Sequence, residues 1–167
     1  MTPAAPAAPR DATPADFPAI LALNEESVHF LSPLTPARLA SLHDESAYHR
    51  VVEIDGAVVA FLLAFREGAA YDSVNYRWFA QRHARFLYID RAVVAGAFQG
   101  RGLGARLYAD LFDFARASGA ARVTCEFDLD PPNEVSRRFH VRHGFAEVGT
   151  QVVAGGKKTV SLQAVEL

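Results

Sequence analysis

Three glycines fall within five residues at Gly100-Arg101-Gly102-Leu103-Gly104, inside the stretch FQGRGLGARL at 98–107. Glycine at a strand-to-helix turn lets a ligand come close to the backbone, and it lets successive N–H groups point into one concavity at the positive end of a helix. Such a turn is a cradle for phosphate. Other side chains have the types for proton chemistry. Asn133 and His140 are seven residues apart, close to two helical turns, so a helix over 133–144 sets them on one face, where they can meet the same ligand. Histidine exchanges a proton near neutral pH. Asp90 stands within FLYIDRAVV at 86–94, where alternation puts it on the face of Tyr88 and sends Arg91 to the other. A carboxylate in an apolar strand is costly unless it is paired or functional. Cys125, the one cysteine, lies among apolar neighbours and reads as core rather than as a nucleophile.

The phosphate ligand can be narrowed. A P-loop needs Gly-Lys followed by Ser or Thr, and no such triplet occurs. A dinucleotide fingerprint fits locally: Gly100, Gly102 and Ala105 satisfy G-x-G-x-x-A, and Glu126 follows on the next strand. Its surroundings argue against it, because that motif opens a long series of parallel β-α units and here a hairpin precedes it.

The elements that must position these residues are legible in outline. Thr13 before Pro14, then Phe17, Ile20, Leu21 and Leu23, predicts a first helix, and Thr35 before Pro36 with Leu39 and Leu42 a second, short one. Two β-branched runs meet at Asp55-Gly56, a strong hairpin signal. Residues 67–85 lack steady periodicity yet hold Tyr71, Tyr76, Trp78 and Phe79, so they read as an aromatic loop that packs on the core or lines a site. A strand over 86–94 precedes the glycines. From Gly102 the apolar positions Leu103, Leu107, Leu111, Phe114 and Ala115 predict a helix of about four turns that stops at Gly119. A strand over 121–129, the short helix at 133–144 and two strands at 145–153 and 158–166 complete the chain. The edge that a terminal strand such as 158–166 could present would suit a homodimer.

Gln99-x-x-Gly102-x-Gly104, after a strand and opening a helix, resembles the pyrophosphate loop of the GNAT superfamily of acyl-CoA-dependent N-acyltransferases. The resemblance extends from Thr13 to the C-terminus in element order, with VVAGAFQGRGLGARL and NEVSRRFHVRHGF corresponding to that superfamily's two most recognisable segments. It implies an α/β (α+β) GNAT fold: a mixed central sheet of six to seven strands with about four helices, the strands splayed at the cofactor site. It implies acetyl-CoA as donor and no metal. Its pantetheine arm would pair with backbone at Ala92, Val93 and Val94, and its pyrophosphate would lie on Gln99, Gly100, Arg101, Gly102, Leu103, Gly104 and Ala105, with charge from Arg101 and Arg106. The second segment commonly runs Asn, seven residues, Tyr, then Gly-Phe. Here Asn133 and Gly144-Phe145 fit while His140 holds the tyrosine position.

On that resemblance Asn133 helps hold the cofactor and His140 protonates the leaving sulfur. Asp128, where members that acetylate protein N-termini carry a glutamate, or Asp90 deprotonates the amine. From its place one step before Gly144-Phe145, His143 is expected to cap the helix end or to be exposed. The expected activity is direct acetyl transfer to a primary amine, on a small molecule or a peptide; a GNAT-fold acyl-CoA-binding sensor without turnover is the alternative.

Composition sets outer bounds. The chain has 167 residues, half of them hydrophobic, and a net charge of -2. One domain over 11–167 follows, after a flexible Ala/Pro-rich tail at 1–10. The charge gives no general pull toward nucleic acid or membrane, no apolar run reaches 18 residues, and one cysteine suits a reducing compartment, so a cytoplasmic protein is expected.

Overall fold

The Asp55-Gly56 hairpin forms as its residues predict. Both take the left-handed backbone, φ 51° and 78°, that a tight two-residue turn of this twist requires. In this computed structural model, which describes residues 8–167, the strands are β1 (Arg10–Asp11), β2 (Tyr48–Ile54), β3 (Ala57–Arg66), β4 (Phe86–Val94), β5 (Arg122–Asp130), β6 (Ala146–Val153) and β7 (Lys158–Glu166). The helices are α1 (Phe17–Glu26), α2 (Pro36–Glu45), α3 (Val74–Ala80), α4 (Leu103–Ala117) and α5 (Glu134–Arg142). The strands follow the order β1-β2-β3-β4-β5-β7-β6 in a mixed, mostly antiparallel sheet. Seven strands and an α+β arrangement match the expected fold class, with α3 as a helix beyond the expected four.

The chain divides into two units, one comprising the chain up to Phe65 together with Asp90–Phe114, the other Arg66–Ile89 with Ala115–Leu167. In the first, β2 pairs antiparallel with β1 and β3. Pro14 opens a single 3-10 turn, capped by Thr13 and Asp16, and α1 starts only after it. Thr35 caps α2 by accepting from the Arg38 amide at 3.1 Å. Ile20 and Leu23 of α1, Leu39 of α2, Val51, Phe61 and Val93 are buried together. The stretch expected as a tail ends in structure, since Arg10 pairs with Val51 in β1; residues 1–7 of that expectation lie outside the described residues.

In the second unit β7 runs antiparallel to both β5 and β6, and the start of β4 runs parallel to β5 from Phe86↔Arg122 to Tyr88↔Thr124. Strand 158–166 is therefore paired on both sides. It presents no edge, and the argument for a homodimer from its edge falls.

The stretch 67–85 also departs from expectation. It contains α3, capped by the Ser73 hydroxyl, which accepts from the Tyr76 amide at 3.3 Å. Seven residues make two turns, too few for a helical period to stand out. Tyr71, Tyr76 and Phe79 are buried, and the Tyr76 hydroxyl donates to Arg66 O at 2.7 Å while accepting from the Ala69 amide at 3.0 Å. These rings are core. Trp78 lies against β6 at Gly149, where a Cβ would stand 2.6 Å from the indole, so only glycine leaves room for it.

Candidate active site

The residues predicted to do chemistry separate into two sets, one in each unit. In the first unit, β4 ends in Ala92, Val93 and Val94; alternation buries Val93 and leaves Ala92 exposed. The chain then turns through a 3-10 turn at Gly96–Phe98, with Gln99 Nε2 donating to Val94 O at 3.3 Å. Gly100 and Gly102 follow with φ 77° and 78°, a region that side-chain-bearing residues rarely enter, and nothing lies within 4 Å of where their Cβ atoms would be. Gly104 is inside the first turn of α4, and the Arg106 amide makes a helical bond to Gly102 O at 3.0 Å. The amides just before Arg106 have no partner one turn earlier in the helix, so they and the helix dipole are available to an anion. Arg106 adds a second sign: its Nε is buried without a hydrogen-bond partner, as if the group it serves came from outside the chain. Arg101 stacks its guanidinium over Phe98 at 4.9 Å. A bare, outward-facing loop with an orphaned guanidinium nitrogen fits a pyrophosphate-bearing cofactor.

Asp90 of the same unit is closed off. Its Oδ2 accepts from Arg91 Nε at 2.6 Å, with the two side chains only 6 % and 4 % exposed. Alternation on a strand set Arg91 on the opposite face, yet its long stem curls back to its neighbour. The same guanidinium donates to Asn24 Oδ1 at 2.9 Å and to Ser32 O at 3.1 Å and Oγ at 3.2 Å. Asn24 and Ser32 were invisible as partners in the sequence.

In the second unit, Asp128 near the end of β5 is held differently. Its side chain is 10 % exposed, and Lys158 Nζ on β7 approaches Oδ2 at 3.3 Å, within ion-pair range. The approach is not aligned as a hydrogen bond, and Oδ2 is buried without one. Glu126, two residues earlier and on the same side of the strand, accepts from the Tyr88 hydroxyl at 2.7 and 2.9 Å. Glu126 was read from the sequence only as a dinucleotide-motif acid.

Asn133 caps α5: its Oδ1 accepts from the Ser136 amide at 3.2 Å, and its own amide donates to Asp128 O at 3.1 Å. His140 lies two turns on, buried, stacked on Phe127 with centroids 5.8 Å apart and edge-on to Phe145 at 5.1 Å. His140 Nδ1 is 2.7 Å from Ser136 O. A carbonyl only accepts, so Nδ1 carries the proton and the neutral ring has its lone pair on Nε2. Burial lowers the His140 pKa below its ordinary 6.5; the bond to Ser136 O works against this and the neighbouring His143 adds to it. His143 closes the helix, with Nδ1 2.7 Å from Phe139 O.

Asp128, Asn133 and His140 are thus members of one unit, while Asp90, Ala92 to Val94 and Gln99 to Ala105 belong to the other. Among the described residues no cluster of three or more His, Cys, Asp or Glu side chains could hold a metal ion, and no helix is long and apolar enough to cross a membrane.

Known proteins share this organisation. Over the described chain the fold matches Ard1 from Thermoplasma volcanium, with a TM-score of 0.76 at 17% identity, covering 95% of this chain and 96% of that one. It also matches yncA from Salmonella typhimurium, solved with its cofactor acetyl-CoA, with a TM-score of 0.72 at 20% identity, covering 95% and 92%. Such identities establish the shared fold alone. A phosphinothricin N-acetyltransferase from Streptomyces coelicolor is 44% identical over 64 residues, 38% of this chain; the match spans about a third of that relative's length, 36%. The family model of the acetyltransferase (GNAT) family matches residues 16–145, a span that runs from the turn before α1 through the glycine loop and α5 to Phe145, and the chain belongs to that family.

Proposed function

We propose that the protein moves an acetyl group from acetyl-CoA to a primary amine by direct transfer. The observation that carries this reading is the left-handed pair Gly100 and Gly102 opening α4, with Arg106 Nε buried and unpartnered beside them in sequence. Bound there, acetyl-CoA would supply an activated thioester. Its pyrophosphate would take the amides of Gly100 to Ala105, its pantetheine arm the backbone of Ala92, Val93 and Val94, and Asn133, whose Oδ1 is spent on the helix cap, would offer its NH2 group. The presence of acetyl-CoA in the yncA structure supports the choice of donor.

An amine must be neutral to attack, and a departing thiolate is helped by a proton. Asp128 takes the amine's proton: its buried Oδ2 lacks a hydrogen bond and is the acceptor a donor N–H would satisfy. His140 delivers the sulfur's proton from Nε2. Burial keeps the resting ring neutral, so its Nε2 lone pair first takes the proton that the attacking nitrogen sheds as it bonds to the acetyl carbon. It passes that proton to the sulfur as the C–S bond breaks, with Nδ1 on Ser136 O throughout. Asp90 is set aside as the base in this scheme, since its Oδ2 already accepts from the buried Arg91 Nε at 2.6 Å. The acceptor is a small-molecule or peptide amine.

Isothermal calorimetry with acetyl-CoA tests the reading, beside a Gly102→Asp, Gly104→Asp variant whose carboxylates block and repel a pyrophosphate. Micromolar binding that the variant loses is expected, followed by CoA release with a subset of screened amines. No binding to the wild type would overturn the proposal. Binding without CoA release for every amine would leave an acyl-CoA-binding sensor in its place.

A further inference from the structure

Away from these residues, in the first unit, two imidazoles meet. His43 in the last turn of α2 and His49 of β2 approach Nδ1 to Nδ1 at 2.8 Å, ring centroids 5.0 Å apart. A nitrogen-to-nitrogen contact this short holds one proton: one ring donates and the other accepts. We propose that the His43–His49 pair is an acid-sensitive latch that fastens the end of α2 to β2 at neutral pH and releases it in acid.

The surroundings decide the direction. His49 is 5 % exposed, stacked on Phe17 and edge-on to Phe61, and its Nε2 is buried without a hydrogen-bond partner. Protonating His49 sets N–H against N–H at the shared contact, or leaves an imidazolium with an unpaired Nε2–H among those rings. Charged groups around the pair do little to rescue it. Asp16, in the turn before α1, favours a charged His49, but its carboxylate is taken by Arg10 at 2.8 and 2.9 Å and by the Thr13 amide at 2.8 Å. Phe17 of α1 and Phe61 of β3 carry no charge. Arg50, next on β2, is paired with Asp11 and Asp110, and Asp44 and Glu45 follow His43 at the exposed end of α2. Burial first, then the neighbouring His43, pulls the His49 pKa from 6.5 down to about 4.

An α2 end that has let go returns His49 toward its ordinary pKa, so the open form binds the extra proton and acid favours it. Between 6.5 and about 4 the open population then rises about tenfold per pH unit. Above 6.5 it is constant.

Amide hydrogen exchange of the full chain at pH 7.5, 6.5 and 5, corrected for the intrinsic pH dependence of exchange, reads this directly. Protection over 36–45 should be equal at the two higher values and fall by roughly tenfold or more between 6.5 and 5, while the β5 and β7 amides hold theirs. His49→Gln, which cannot titrate, should abolish that fall. Should the variant not fold, the 15N shifts of the wild-type rings serve instead, with His49 remaining neutral at pH 5.5. Protection over 36–45 that tracks β5 and β7 at every pH, or a His49 that titrates near 6.5 in the folded protein, overturns the latch.

Discussion

Asp90, midway along β4, and Asp128, near the end of β5, are both strand aspartates, and each sits in its own unit of the molecule. Asp90 is sealed against a guanidinium that itself makes three further bonds, to Asn24 and Ser32. Asp128 meets only a misaligned ammonium at 3.3 Å and keeps an oxygen with no hydrogen bond. A buried carboxylate paired with a buried guanidinium serves the fold, because losing either partner leaves a buried charge uncompensated. One left with an unmet acceptor is poised to take a proton or an N–H.

The hardest way to break this contrast is Arg91→Leu. It strands the Asp90 charge in the core and should cost about 3–5 kcal/mol of stability in urea unfolding; a loss under about 1 kcal/mol would mean that Asp90 is not structurally engaged. Asp128→Asn should do the reverse, lowering kcat/KM about 100-fold, near 2.7 kcal/mol, while unfolding and acetyl-CoA affinity stay close to wild type. If Asp90→Asn gave that selective kinetic loss instead, the roles would be exchanged. His140→Phe should reduce kcat/KM about tenfold and remove one limb of its pH profile. The sign follows from the lowered pKa: wild-type activity needs the Nε2 lone pair, so it is full at neutral pH and falls as pH drops through a value below 6.5. The smallest effect belongs to Lys158→Met. Its ammonium is partly exposed, so stability should change by less than about 1 kcal/mol and kcat/KM by less than about tenfold.

The glycine loop and the short helix were readable because both are local. FQGRGLGARL holds its turn residues and the helix they open within ten positions, and Asn133, Gly144 and the spacing to His140 mark both ends of α5. β4 appears at 86–94 as its pattern predicts, and β5, β6 and β7 appear within a residue or so of theirs. Two turns of α3 escaped, since a period of 3.6 needs more than seven residues to show. The edge assigned to 158–166 was misplaced for a different reason: the last strand in the chain was taken as the last in the sheet, whereas β7 inserts between β5 and β6.

By itself the sequence determined most of the element types, the glycine turn before α4 and the GNAT resemblance, because periodicity, capping and glycine backbone freedom act over a few neighbouring residues. Only the tertiary structure decided which acid is closed and which is open. Arg91 reaches Asn24 and Ser32 across 67 and 59 positions of chain, Lys158 reaches Asp128 from the next strand of the sheet, and His140 is turned by Ser136 and walled in by Phe127 and Phe145. A buried group's chemistry follows from what desolvates it and what bonds to it, and those partners are set by how distant segments pack.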